Sequence, residues 1–168
     1  MKKTFKILSL IMVFAFLFLS ASCAEKDEGV APKDFSSNGM TITLTNEFSQ
    51  KDEEGFTVCF DSGAIVIFCL REEFQIKNGL FEMSAEDYAQ SVREVNSDLD
   101  TSDVYTKDGY AYIEYDFNNL LLGKTFSYYC TVFKTEDAFW MIQFSCEKFA
   151  YETFKPKFEG WAKTIVFE

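Results

Sequence analysis

The chain has no histidine in its 168 residues. That absence removes Ser-His-Asp and Cys-His nucleophile systems, and with them every zinc or iron site that needs an imidazole. Proline is nearly missing as well, with two residues, and the composition is 48% hydrophobic and 18% aromatic, so the chain carries enough apolar matter for a core and does not read as disordered. Positive charge is scarce: 16 Lys and Arg stand against 27 Asp and Glu. Without Lys2, Lys3 and Lys6 of the leader described next, 13 minus 27 leaves a net charge of −14. Such a surface repels phosphate backbones, which argues against nucleic acid as a partner, and anionic headgroups do not attract it either.

The long apolar run lies at the start. Met1 to Lys6 is basic, Ile7 to Leu19 is uncharged and apolar apart from Ser9, and Ser20, Ala21 and Ser22 are small residues leading to Cys23. This is the three-part layout of a secretory signal peptide over residues 1–22, and its apolar stretch is shorter than the roughly 20 residues of a spanning helix. Leu19-Ser20-Ala21-Ser22-Cys23 resembles the bacterial lipobox, with its leucine one place further from the cysteine than is usual. The resemblance implies diacylglycerol on Cys23 and a chain held on the extracytoplasmic face of the cell membrane, since two or three acyl chains suffice for stable anchoring. The competing reading is ordinary cleavage after Ser22, which would release a free secreted protein. Ala24 to Gly39 is rich in charged and small residues without an apolar period, so residues 23–39 read as a lipidated cysteine and a flexible tether.

From residue 40 to 168 the pattern is that of one α+β domain. Strands are expected over Met40–Thr45, Phe56–Asp61 and Ala64–Leu70, the last two joined by Asp61-Ser62-Gly63. Ile65, Val66, Ile67 and Phe68 in succession predict a strand covered on both faces. A helix follows, with Ser84 as N-cap, Asp87 as its capping-box partner, and Ala85, Tyr88, Ala89, Val92 and Val95 as the apolar stripe. Further strands are expected over Ser102–Thr106, Tyr110–Phe117, Phe126–Lys134 and Ala138–Cys146, with Asp108-Gly109, Gly123-Lys124 and Glu136-Asp137 as two-residue turns.

With those turns, side-chain alternation puts Ala111, Ile113, Tyr115, Phe117, Phe126, Tyr128, Cys130, Val132, Phe139 and Met141 on one face. Tyr110, Tyr112, Phe133, Trp140, Ile142, Phe144 and Cys146 fall on the other. Neither face is polar, so both need cover. Phe154, Phe158, Trp161, Ala162 and Ile165 mark a closing helix with Pro156 in its first turn, and Thr164–Phe167 a closing strand. The expected class is a mainly antiparallel sheet of six to seven strands with helices on both faces.

This order of strands, the capped helix after Met83, the aromatic hairpins from Tyr110 through Phe144 and the closing Trp161-Ala162-Lys163-Thr164-Ile165 resemble the PsbP-like α-β-α sandwich over Met40 to Glu168. Its members include an extrinsic photosystem II subunit, a nuclear transport factor and bacterial lipoproteins of unassigned role. The resemblance implies a module that acts by binding and supplies no shared catalytic residue to transfer.

The candidate sites follow. Cys59, Cys69, Cys130 and Cys146 allow two disulfides in three connectivities, although the turn registers set Cys130 and Cys146 on opposite faces, and buried free thiols are the favoured reading. Asn96, Asp98, Asp100, Ser102 and Asp103 gather oxygens but lack the turn glycine and closing glutamate of an EF-hand, so a solvated loop is favoured and no metal is expected. Glu114 and Asp116 share a face with Tyr110 and Tyr112, and the favoured reading for them is cross-strand contact. Leu120, Leu121 and Leu122, beside a hairpin turn, are candidates for contact with a partner or the membrane, or else cap the core. No cofactor is implied. The expectation is a membrane-anchored, non-catalytic binding or assembly module with an envelope protein as a possible partner. The alternative is a small-ligand carrier, which would need an apolar cavity between sheet and helix.

Overall fold

The computed structural model describes residues 30–74 and 79–168. The leader, Cys23 and the first part of the tether lie outside the described residues. Those described form two antiparallel sheets and two α-helices. The first sheet has three strands, with β2 (Met40–Thr45) between β1 (Pro32–Ser37) and the last strand, β10 (Val166–Phe167). The second has seven, in the order β3 (Ser49–Lys51), β4 (Val58–Asp61), β5 (Ile65–Glu73), β9 (Ala138–Glu147), β8 (Lys124–Lys134), β7 (Tyr110–Asn119) and β6 (Tyr105–Lys107). Helix α1 (Ala85–Val95) lies between β5 and β6 in the chain, and α2 (Tyr151–Ala162) between β9 and β10.

The α+β class and the largely antiparallel pairing are as expected, but the sheet is divided. Met40–Thr45 and the closing strand pair with each other, Val166 opposite Thr41 and Phe167 opposite Met40, and not with the large sheet. Order also begins earlier than expected, because the second half of the supposed tether is β1. Asn38 and Gly39 have φ of 53° and 82° and close a two-residue turn between Ser37 and Met40. That left-handed pair is what an Asn-Gly hairpin supplies at low steric cost. The Asp108-Gly109 turn repeats it, with φ of 50° and 87°.

Each face of the seven-stranded sheet carries its own core. Tyr88, Ala89 and Val92 of α1 pack with Ala111, Ile113, Tyr115, Cys130, Val132, Phe139 and Met141. Tyr110, Tyr129, Trp140, Ile142, Phe144 and Cys146, which alternate with them along the same strands, pack with Tyr151, Phe158 and Ala162 of α2 and with Met40, Ile42 and Leu44 of β2. Strand β9 has no solvent face: all nine side chains from Ala138 to Cys146 are buried. Strand β5 is less enclosed than its apolar run implied, since Ile65, Ile67 and Cys69 are buried while Val66, Phe68 and Leu70 are half-exposed.

Two local details decide the helix ends. At α1 the capping box is complete, the Asp87 amide donating to Ser84 Oγ at 3.0 Å and the Ser84 amide to Asp87 Oδ2 at 3.0 Å. These bonds, the Ser84 hydroxyl's first, hold the Asp87 carboxyl below its ordinary range, so this stabilisation is present above that range and is lost as pH falls through the lowered value. At α2 the helix begins at Tyr151, which puts Pro156 in its interior and not in the first turn. The ring deprives the Glu152 carbonyl of a partner amide, and both residues are exposed, which leaves that carbonyl open to solvent.

The thiols of Cys59, Cys69, Cys130 and Cys146 are free and buried, with Cys130 and Cys146 in different cores. Burial pushes Cys59 and Cys130 up to about 12 and Cys146 to about 11, and it raises Cys69 as well. A thiol reagent at neutral pH is therefore expected to leave these four unmodified in the native domain and to label all four in guanidinium, as read by intact mass. Phe158 is fully buried, its ring 5.5 Å from Phe144 and 6.1 Å from Trp161. Phe158→Ala is expected to cost about 3–5 kcal/mol in a urea unfolding titration.

Candidate functional site

Two features at the same end of the seven-stranded sheet stand apart from the cores: a groove beside β7 and the turn that follows β7. The groove exists because β6 is short. It pairs only with Tyr110, Ala111 and Tyr112, and beyond them the edge of β7 is met by the loop after α1. There Thr101 bridges Tyr115, and Ser102 exchanges bonds with the Glu114 backbone at 2.8 and 3.0 Å. The opening that remains is about 330 Å³, lined by Asp100, Glu114, Asp116, Ser127, Lys148 and Glu152 together with Tyr115, Tyr128 and Tyr151.

Glu114 and Asp116 project from β7 toward α2 and the segment before it. Glu114 lies opposite Tyr129 in the sheet, but its carboxylate is occupied by the helix. Tyr151 Oη donates to it at 2.6 Å, and Lys155 Nζ at 2.7 and 2.8 Å. Asp116 accepts from Ser127 Oγ at 2.5 Å and from Lys148 Nζ at 2.5 Å. Burial, then the bond to Glu114, raises the Tyr151 phenol far above its ordinary value and keeps it a donor. Burial works to lower Lys155, yet Glu114 outweighs it and the ammonium is held above its usual range. Asp116 raises Lys148 likewise, through its hydrogen bond first. A general base needs a lone pair directed at open space. Here Glu114 is engaged by Tyr151 and Lys155 and clamps strand to helix, while Asp116 is engaged by Ser127 of β8 and by Lys148, and the two give the groove an acidic rim.

Cross-strand contact describes Asp116 in part, through Ser127 opposite it on β8, but not Glu114, whose partners come from α2. The legible signal is Tyr151 and Lys155 at i, i+4, which share a helix face once the helix is started at Tyr151. Among the other acidic candidates, Asp103 reaches Arg93 at 3.2 Å. Among the described residues, no group of three or more Cys, Asp or Glu is disposed to hold a metal ion.

The turn after β7 corrects the expected Gly123-Lys124 hairpin. Asn119 pairs with Lys124, so the loop has four residues, Leu120 to Gly123. Relative to the expected pairing of Leu122 with Thr125, each partner changes by an even number of residues, which keeps every side chain on its assigned face. The loop is built by the buried Asn119, whose Oδ1 accepts from the amides of Leu121 and Leu122 at 3.1 Å each. With the backbone held this way, Leu120 and Leu121 stand 85% and 84% exposed, and only Leu122 is half-buried. They do not cap the core. Phe149, 86% exposed, occupies a short 3-10 turn, Lys148–Ala150, just past β9.

No family model and no curated protein matches the chain. Solved structures do. The solution structure of cyanobacterial PsbP (CyanoP) from Synechocystis superposes with a TM-score of 0.53 at 14% identity, over 88% of this chain and 98% of that one. A crystal structure of a Bacteroides thetaiotaomicron protein superposes with a TM-score of 0.55 at 13% identity, over 81% of this chain; the match spans about half of that protein, 48%. Identities this low carry the fold and nothing further, and the fold is PsbP-like.

The clamp yields a titration test. Because Glu114 raises Lys155, the pair's contribution is complete below the ordinary lysine range and is lost as pH climbs through the raised value. Glu114→Gln is expected to bring Lys155 down, as followed by NMR of its Nζ.

Proposed function

We propose that this chain is a membrane-anchored extracytoplasmic lipoprotein whose PsbP-like domain is a non-catalytic binding or assembly module. The observation that carries the binding reading is the pair Leu120 and Leu121 on a turn built to present them. Leucines left in water at a loop tip lose the stabilisation that burial would give, about 1.5–3 kcal/mol each. A turn that holds them out in the free protein is therefore best explained by a surface that covers them. The anchor half of the reading rests on the lipobox-like Leu19 to Cys23 segment and on the short distance from Cys23 to Pro32, where the first strand begins.

The two cores support reading the domain as an α-β-α sandwich, with α1 over one face and α2, joined by the small sheet, over the other. The carrier alternative would need an apolar cavity. The groove beside β7 has Asp100, Glu114, Asp116 and Glu152 in its lining, which suits a polar or cationic ligand in place of an apolar one.

Two measurements test the proposal. The mature protein is expected to stay with membranes through salt and carbonate washes and to show a diacylated Cys23 by N-terminal peptide mass; release by either wash removes the anchor. The double variant Leu120→Asp, Leu121→Asp is expected to unfold within about 0.5 kcal/mol of wild type, because exposed positions seldom contribute more. A large loss of stability would make the tip part of the core.

A further inference from the structure

We infer that the surface covering Leu120, Leu121 and Phe149 is the outer leaflet of the same bilayer that holds the lipid, so that the domain is docked by an apolar wedge as well as tethered. This deepens the lipoprotein reading and rests on it.

The wedge residues sit at adjacent strand ends. Strands β7, β8 and β9 are consecutive in the sheet, and at this end Asn119 pairs with Lys124 and Phe126 with Glu147. Lys124 forms an ion pair with Glu147, tying the base of the leucine turn to the residue that leads into Lys148–Ala150. Two leucines and a phenylalanine, each at least 84% exposed, thus project from neighbouring strand ends.

The place where the tether enters the fold selects the bilayer as the occupant. Ala31 is fixed beside Asn46, its amide donating to Asn46 Oδ1 at 3.0 Å and its carbonyl accepting from the Asn46 amide at 2.8 Å. Three residues on, Ser49 opens β3 and pairs with Asp61. Asp61 precedes the turn into β5, whose Ile65 pairs with Cys146 of β9. The chain therefore enters at the end of the sheet that carries the wedge, about four strand spacings away, or roughly 20 Å across. Val30 is seven positions past Cys23, and that length of chain reaches at most about 25 Å. An anchor on Cys23 accordingly keeps this end, and not the Glu136-Asp137 end, within reach of the membrane.

Charge does not supply the contact. Lys124 and Lys148 beside the wedge are each paired, with Glu147 and Asp116, and the chain as a whole is acidic, so nothing here draws the domain onto anionic headgroups. Contact would come from apolar side chains entering the headgroup and upper acyl region, and it should be indifferent to salt.

The test uses the full lipidated protein in phosphatidylcholine vesicles containing lipids brominated on their acyl chains, with a fluorescent probe introduced as Leu121→Trp. A control carries Glu136→Trp at the opposite end of the sheet. The expected result is at least twofold quenching of the added fluorescence at 121, unchanged in high salt, and none at 136. N-terminal mass is read on the same sample. With Cys23 diacylated and no quenching at 121, the wedge is overturned while the anchor stands, and the tip is then free for an envelope protein. With Cys23 unmodified, the anchor fails first and the wedge falls with it.

Discussion

The whole architecture turns on β9, which has to be buried on both sides. Along Ala138-Phe139-Trp140-Met141-Ile142 the side chains alternate between faces while staying apolar, so no orientation of this strand leaves a face for water. Covering one side takes the stripe of α1. The other side is wider and aromatic, with Trp140 and Phe144 beneath Phe158, Phe167 and Trp161, and no single helix of twelve residues covers it. The small sheet fills the remainder, with Met40, Ile42 and Leu44 turned inward. The polar residues within β9 fit because they are met, as Gln143 is by the Tyr115 hydroxyl at 2.7 Å.

Much of this is legible in the sequence where two signals coincide. The α1 capping box joins Ser84 and Asp87 to an apolar stripe, and the Asp61-Ser62-Gly63 and Asp108-Gly109 turns separate clear strand patterns. The face assignment over β7 to β9 depends only on parity, so the longer loop after β7 leaves it intact. What escapes is held by a single signal. Asn38-Gly39 is as good a hairpin turn as Asp108-Gly109, but β1 beside it buries only Phe35, because it is an edge strand covering β2 and offers no alternation to read. The preference of proline for the first turn of a helix misplaces the start of α2 for a related reason. Pro156 lies in the interior of α2 on its exposed side, and the packing of Tyr151 and Phe158 into the core carries the helix through it.

The division into two sheets is invisible to local pattern, since β2 alternates equally well in either. It is set by long-range partners, Thr164 with Thr43 and Val166 with Thr41. The candidate sites divide in the same way. An exposed leucine run announces itself in sequence, whereas the clamp on Glu114 joins residues far apart in the chain and appears only once α2 is laid across β7.

The closure of the small sheet has a consequence for how the chain matures. The Glu168 amide bonds to the Gly39 carbonyl at 2.9 Å, and the Thr43 amide to Thr164 Oγ1 at 3.0 Å across 121 positions of sequence. A hairpin of β1 and β2 can form as soon as it emerges, but its inward row of Met40, Ile42 and Leu44 stays uncovered until the final helix and strand have been made and delivered. A folding chain therefore passes through a half-built stage that is sticky on one side, and the time spent there is governed by how fast the last twenty or so residues are delivered.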